Sequence, residues 1–203
     1  MATEEESSYV KVQGNEVFFH CDVHEESVLE LVTKMRGLVK NLRKAYIDLG
    51  IEEDPAVTLY VKSDGGDLHC GFSAMDHIRD LRARVTTVAD GLCASAATLL
   101  LLAGQHRKML ENSYVLIHQI SADGVWGKYE ELKDHMQNFT KDMERMQQVY
   151  EAETDIPSRK LKKILKKDLY LDSEQCLRYG LVDEVIKPPS WVQERGRERV
   201  GPE

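Results

Sequence analysis

The stretch Gly91-Leu-Cys-Ala-Ser95-Ala-Ala-Thr-Leu-Leu-Leu-Leu102 decides the fold. It follows a β-rich apolar run, Val85 to Ala89, and leads from a glycine through small residues into a helix-forming apolar stretch. This order predicts a strand, a tight turn and a helix, with the hydroxyl of Ser95 at the turn. Because its neighbours carry almost no side chain, a reactant can approach Ser95 closely, and the first amides of the helix are free to bind an oxyanion. The stretch therefore predicts a serine hydrolase.

Strands and helices alternate along the first half of the chain. The patterns predict strands at 17–23, 57–63 and 85–89, separated by amphipathic helices at 25–49 and 68–82. Such alternation is typical of an α/β fold with mostly parallel strands and right-handed crossovers. Functional side chains of these folds lie at the carboxyl ends of strands. Three separate positions satisfy that rule, and we expect them to form one site: Gly65-Gly66, Gly91 to Ser95, and His118.

A serine nucleophile needs a base within hydrogen-bond reach, and the base needs an orienting group. His118, at the end of a β-like run from Tyr114, is the candidate base. The alternative is a structural histidine whose ring nitrogens have other partners. The candidate acid is Asp168. Spacing alone cannot choose it over three other carboxylates in this part of the chain: Asp155, Asp172 and Asp183.

The pair Gly65-Gly66 ends another predicted strand. A plain turn explains it, since Asp-Gly is common turn chemistry. The functional interpretation is that the backbone approaches a ligand with no Cβ in the way. In that case the amides of Gly66 and Ala96 would bind the developing oxyanion.

The composition excludes several classes of function. The chain has 203 residues and a net charge of -8, whereas nucleic acids and anionic membranes select concentrated positive charge. The longest apolar stretch, Ala94 to Ala103, is too short to span a bilayer, and the acidic N-terminus has no signal-peptide pattern. The four cysteines have no paired spacing, which predicts reduced thiols. We therefore expect a cytoplasmic protein with no metal, no cofactor, no nucleic acid and no membrane partner.

A second long helix is predicted from Gly127 to about Tyr150. Its apolar residues recur every three or four positions without a break: Tyr129, Leu132, Met136, Phe139, Met143, Met146 and Tyr150. An ordinary amphipathic helix on its own core explains this stripe. Its length and its methionines also suit a helix that packs against another subunit.

With these residues identified, the chain resembles the ClpP family, the proteolytic subunit of the Clp protease. The similarity covers about residues 15–187, and each motif is weak alone whereas the set is specific. Five segments carry the resemblance, in the family's order: Leu59-Tyr-Val-Lys-Ser-Asp-Gly-Gly66, Asp90-Gly-Leu-Cys-Ala-Ser95-Ala-Ala, Asn112-Ser-Tyr-Val-Leu-Ile-His118-Gln, Lys167-Asp168-Leu-Tyr-Leu-Asp-Ser, and Arg178-Tyr179-Gly180-Leu-Val-Asp183.

The resemblance implies a role for each matched residue. Ser95 would be the nucleophile, His118 the base and Asp168 its orienting acid, while Gly66 and Ala96 would supply the oxyanion amides. It is the resemblance, and not the spacing, that selects Asp168. The implied activity is that of a serine endopeptidase acting on unfolded proteins or peptides.

The resemblance also implies an architecture. The fold would be a ClpP/crotonase-like spiral of βαβ units, with the helix from Gly127 as a protruding handle between two stacked rings. A heptamer or a tetradecamer of the chain would enclose the proteolytic chamber. The expected division is a flexible N-terminus at 1–14, the peptidase domain at 15–187 and a flexible charged tail at 188–203.

Three departures from the family pattern keep alternatives open. Asp64 replaces the family's proline before the Gly-Gly pair, Ala96-Ala97 replaces the usual Met-Gly, and the axial-loop pattern is missing from 1–16. Docking of an ATP-driven AAA+ unfoldase is therefore left open. Two other functions remain: a non-catalytic ring component with a filled but misaligned triad, and a crotonase-type acyl-CoA enzyme on the same fold.

Overall fold

The structure, a computed structural model, describes residues 9–121 and 124–189. The described residues form seven strands and six helices. Their bounds are β1 (Val10–Gln13), β2 (Glu16–Phe19), α1 (Glu25–Asp48), β3 (Ala56–Ser63), α2 (Leu68–Arg79), β4 (Arg84–Ala94), α3 (Ala97–Leu102), β5 (His106–Leu110), β6 (Tyr114–Leu116), α4 (Tyr129–Glu153), α5 (Ser158–Ile164), α6 (Ser173–Arg178) and β7 (Glu184–Ile186).

All seven strands belong to one sheet. Its order is β1-β2-β3-β4-β5-β7, and β6 pairs with β4 beside that path. Only the β1–β2 pair is antiparallel, while the other pairs are parallel. The expected α/β fold with mostly parallel strands is confirmed.

Hydrophobic periodicity explains the first half of this sheet and its helices. In β3, Val57, Leu59 and Val61 alternate with less buried residues and point to the core. Helix α1 buries one stripe that recurs every three or four residues, from Val28 to Val39, and His24 caps its start. Every residue of α3 is buried, as its continuous apolar sequence predicts.

Strand β4 is longer than its sequence suggests, and this moves the turn. The sequence predicts a strand that stops at Ala89 and a turn that begins at Gly91, but β4 continues to Ala94. Gly91, with φ of +82°, lies inside the strand, where its amide donates to Ser113 Oγ at 2.7 Å. The first part of β4 pairs with β5 and the last part with β6. The turn therefore starts at Ser95 itself.

Both ends of the chain were expected to be flexible, and the structure describes only part of each. Val10–Gln13, inside the 1–14 segment that was expected to be flexible, form β1 on the edge of the sheet, and Val10 is fully buried. Residues 1–8, and the part of the expected charged tail from 190 to 203, lie outside the described residues.

Most of helix α4, which the resemblance implies to be a protruding handle, is not buried. It has 25 residues, of which only Met146, Val149 and Tyr150 are buried. Its last turn is held by two arginines: Arg79 forms an ion pair with the Glu153 carboxylate at 2.9 Å, and Arg107 donates to the Glu153 carbonyl at 2.6 Å. Among the described residues no helix has both the length and the apolar character needed to cross a bilayer.

Candidate active site

Ser95 occupies a strained backbone conformation at the turn between β4 and α3. Its φ is +54°, and within residues 9–121 and 124–189 it is the one non-glycine residue with positive φ. Such a conformation costs about 1–3 kcal/mol and persists where surrounding contacts enforce it. Here the Ser95 amide donates to the Leu116 carbonyl at 2.8 Å, and the Ser95 carbonyl accepts from the Thr98 amide at 3.0 Å. The turn presents a partly exposed serine between two buried elements.

The two glycines after β3 lie directly against this turn. A Cβ on Gly65, whose φ is +108°, would lie 2.6 Å from Ser95 Cβ and 3.2 Å from Ser95 Oγ. A Cβ on Gly66, whose φ is +140°, would overlap the Val23 carbonyl. The Val23 amide donates to the Gly65 carbonyl at 2.7 Å, and the Asp67 amide donates to the Val23 carbonyl at 2.8 Å. The pair is therefore required by packing between Val23 and Ser95, a reason that the sequence interpretation did not include.

The expected oxyanion donors both lie beside Ser95. Gly66 and Ala96 line the same cavity as the serine. In the part of the chain that the structure describes, neither amide donates a hydrogen bond to the protein. For Gly66 the reason is that its neighbours Gly65 and Asp67 make the bonds to Val23. For Ala96 the reason is its place at the start of α3.

His118 and Asp168 are brought together by two chain segments that run side by side. Val115 and Leu171 exchange backbone hydrogen bonds at 3.0 and 2.7 Å, and the Gln119 amide donates to the Leu165 carbonyl at 2.6 Å. Between these anchors, His118 Nδ1 lies 3.3 Å from Asp168 Oδ1. The His118 side chain is 21% exposed and the Asp168 side chain is 80% exposed. Because the carboxylate faces Nδ1, Nε2 is the ring nitrogen left for a second partner.

Two of the three alternative carboxylates, those of Asp172 and Asp183, have other hydrogen-bond partners. Asp172 caps α6 by accepting from the Gln175 amide at 2.8 Å, and Asp183 accepts from the Arg107 amide at 2.7 Å. Asp155 lies against Gly180. Among the described carboxylates, Asp168 is the one within ion-pair distance of His118.

The cavity next to Ser95 has a volume of about 230 Å³. Ser95 and His118 both line it, although no hydrogen bond joins them among the described residues. Its apolar wall comes from α3 and α4, through Leu99, Phe139 and Met146. Asp168 lies behind His118 and outside the lining of the cavity.

The described residues that line the cavity include the Ser95 hydroxyl and the Asp67 carboxylate, but no thiol. The backbone amide of Cys70 holds the pKa of the Asp67 carboxyl below its usual range, so this cavity residue is a carboxylate near neutral pH. Burial raises the pKa of the Cys70 thiol to about 11, and no cysteine lines the cavity. No group of three or more metal-ligating side chains converges anywhere in residues 9–121 and 124–189.

Sequence reasoning missed two residues around the serine. Thr98 Oγ1 donates to the Ser95 carbonyl at 2.6 Å and lies 2.6 Å from the hydroxyl of Tyr150. The sequence could have indicated the role of Thr98, since a threonine three residues after a turn can donate to the carbonyl at the turn. In the sequence, Tyr150 is one member of the apolar stripe on α4, and no neighbouring residue distinguishes it from the other members.

Comparison with known proteins decides the family. The model of the family described as Clp protease matches residues 36–189, which is more than half of the chain. The chain belongs to the Clp protease family. This confirms the resemblance in the sequence, and it agrees with the observed α/β fold. Membership supports a ClpP-type protease as the general function.

Three curated relatives are proteolytic subunits of the ATP-dependent Clp protease. The subunit from Deinococcus radiodurans is 33% identical over 132 residues, which cover 64% of each chain, just under two thirds of that relative. Subunit 2 from Treponema pallidum is 29% identical over 189 residues, covering 92% of this chain and 94% of that one. Subunit 2 from Treponema denticola is 30% identical over 158 residues, covering 77% and 78%.

The contact between Gly65 and Ser95 predicts different effects for two glycine substitutions. Gly65→Ala and Gly91→Ala both place a side chain at positive φ, which costs about 1–2 kcal/mol. Only the Gly65 methyl group collides with Ser95, whereas a Cβ on Gly91 would meet nothing closer than the flexible Lys62 at 3.6 Å. We expect both variants to melt at lower temperature. Only Gly65→Ala should lose reaction with a fluorophosphonate probe, and equal labelling rates for the two would contradict the geometry.

Proposed function

We propose that this chain is a serine endopeptidase of the ClpP type that hydrolyses peptide bonds of unfolded proteins or peptides. One observation carries the proposal. The strained Ser95 and the imidazole of His118 line the same cavity, and His118 Nδ1 is 3.3 Å from Asp168. A serine held at positive φ lowers the stability of the fold, and residues with such backbone strain are often found at functional sites.

The positions of these groups support the following reaction. His118 Nε2 takes the proton of Ser95 as the hydroxyl oxygen attacks the peptide carbonyl. The carbonyl oxygen becomes an oxyanion, which the amides of Gly66 and Ala96 stabilise. His118 then returns the proton to the leaving amine, and water hydrolyses the acyl-enzyme by the same steps in reverse order. Asp168 orients the ring and stabilises its protonated form.

The separation of Ser95 from His118 is compatible with this role. Catalytic hydrogen bonds are often long or poorly aligned without substrate, and they tighten in the complex. Neither residue lies inside a helix or strand: Ser95 lies on the short connection between β4 and α3, and His118 lies two positions beyond the end of β6. A rotation of the serine side chain alone changes the direction of its hydroxyl.

A non-catalytic ring component is the second candidate. The exposed Asp168 carboxylate and the missing bond between Ser95 and His118 favour it, because a screened carboxylate orients an imidazole weakly. A crotonase-type acyl-CoA enzyme is less favoured, since such chemistry uses no serine nucleophile and does not account for the strain at Ser95.

The assembly is also part of the proposal. The first half of α4 exposes apolar side chains, among them Tyr129 and Met136, and Trp126 before the helix is 87% exposed. We propose that a second copy of this chain covers this stripe, so that the chains form stacked rings, heptameric or tetradecameric, around a chamber. The match to proteins named as proteolytic subunits supports a multi-chain assembly.

Removal of the Ser95 hydroxyl tests the chemistry. Ser95→Ala should lower peptide cleavage at least about 10³-fold and abolish fluorophosphonate labelling, because no other group can form the acyl-enzyme. Circular dichroism and the melting temperature should stay close to those of the wild type. Labelling that survives in Ser95→Ala would rule out this serine. A wild-type protein that never reacts, in any oligomeric state, would favour the non-catalytic ring component.

The choice of acid is tested by two matched substitutions. Asp168→Asn and Asp172→Asn each replace one carboxylate by an amide in the same segment, but only Asp168 contacts His118. We expect kcat to fall by about 10²–10⁴-fold in Asp168→Asn, since the amide favours the wrong imidazole tautomer. Asp172→Asn should keep wild-type kcat because asparagine also caps helices well. Equal activity of the two variants would remove Asp168 from the mechanism.

The exposed stripe on α4 predicts how charge affects assembly. Met136→Lys introduces a cation into the stripe, whereas Asn138→Lys adds the same charge on the opposite face of the same helix. We expect the first variant alone to shift native mass toward smaller species in native mass spectrometry or light scattering. A wild-type protein that is monomeric at all concentrations would contradict the proposed ring.

A further inference from the structure

A chain of hydrogen bonds joins α4 to the carbonyl of Ser95. Thr98 Oγ1 donates to the Ser95 carbonyl at 2.6 Å, and the Tyr150 hydroxyl lies 2.6 Å from Thr98 Oγ1. Thr98 is fully buried and Tyr150 is 1% exposed. The two partners are 52 positions apart in the sequence, so this contact belongs to the tertiary structure.

The direction of each bond follows from counting protons. A threonine hydroxyl has one proton, and Thr98 gives that proton to the Ser95 carbonyl. Tyr150 must therefore be the donor in its bond to Thr98. Burial raises the pKa of Tyr150, so the phenol keeps its proton throughout the pH range in which a peptidase is assayed.

By itself, the hydrogen bond from Thr98 to the Ser95 carbonyl would be an ordinary feature of the start of a helix. Threonine hydroxyls commonly bond to a carbonyl three or four residues before them. The buried bond to Tyr150 is what selects one rotamer of Thr98, because any other rotamer would leave a buried hydroxyl without its partner. In this arrangement the Ser95 carbonyl accepts from both the amide and the hydroxyl of Thr98.

We propose that Tyr150 acts through Thr98 as a positioning residue that holds the Ser95 backbone in its positive-φ conformation. The proposal rests on the proposed serine mechanism. Tyr150 lines the cavity, but the hydrogen bonds of both hydroxyls lead to the Ser95 carbonyl and not to its Oγ. Glu153, three residues after Tyr150, is tied to Arg79 and Arg107, so the end of α4 is fixed where it meets the serine turn. The position of α4 is thereby coupled to the presentation of the nucleophile.

The test compares kcat and KM of four single variants and one double variant on a fluorogenic peptide, together with the rate of fluorophosphonate labelling of Ser95. Tyr150→Phe and Thr98→Val each break the hydrogen-bond chain, while Thr98→Ser keeps the hydroxyl. Thr87→Val is the matched control. Thr87 is also fully buried, and its Oγ1 also donates at 2.6 Å to a carbonyl of α3, that of Leu101, at the end of the helix away from Ser95.

We expect kcat and the labelling rate to fall about tenfold in Tyr150→Phe and in Thr98→Val, with KM nearly unchanged, because a misplaced nucleophile affects the chemical step and not binding. In the double variant Tyr150→Phe/Thr98→Val, kcat should fall no further, since both changes break one chain of hydrogen bonds. Thr98→Ser should restore most of the rate. Thr87→Val should lower the melting temperature to a similar extent and leave kcat at the wild-type value.

The outcomes separate this inference from the mechanism on which it rests. If Tyr150→Phe keeps wild-type kcat, or loses no more than Thr87→Val, the positioning role is wrong while the serine mechanism stands. If Tyr150→Phe does not fold, the pair Thr98→Ser and Thr98→Val decides, and equal kcat in these two would overturn the role. If wild-type Ser95 never reacts with the probe, both proposals fall together.

Discussion

The positive φ of Ser95 is the constraint on which the rest of the site depends. It reverses the chain between a buried strand and a buried helix, so that the serine faces a cavity while its neighbours stay in the core. Three parts of the fold enforce it. The Leu116 carbonyl holds the Ser95 amide, Thr98 holds the Ser95 carbonyl, and Gly65 packs against the side chain with no room for a Cβ. A backbone conformation with this energetic cost persists when contacts from several elements enforce it.

The same turn explains where the charge of a transition state could be stabilised. Because the backbone reverses at Ser95, Ala96 lies directly before α3, and its amide has no partner among the described residues. The amide of Gly66 also has none, and both residues line the same cavity. In the proposed mechanism both amides would be held by the backbone and would need no reorganisation when an oxyanion forms. Preorganised amides next to a presented hydroxyl are a stronger argument for acyl transfer than a histidine and an aspartate alone.

Helix α4 belongs partly to the core and partly to the exterior. Its last turns bury Met146 and Tyr150 against the serine turn, while its first half exposes Tyr129 and Met136. A rigid helix of this kind transmits the position of its exposed end to its buried end. If a second copy covers the exposed end, then assembly and the geometry of Ser95 share one mechanical element. Under the proposed function such a link would matter, because an isolated subunit would then hold Ser95 less firmly than an assembled one.

Local sequence determined the elements and the candidates, because periodicity, small residues and glycines act within a few positions of each other. The stretch around Ser95, the Gly-Gly pair and His118 could be read in this way, and so could the α/β class. The sequence alone misplaced the start of the turn, since pairing with β6 extends β4 to Ala94. Only the tertiary structure singled out Asp168 by contact, through the pairing of distant segments, and only it revealed Tyr150 behind the serine. Both contacts join residues far apart in the chain, and no local pattern encodes the distance between such residues.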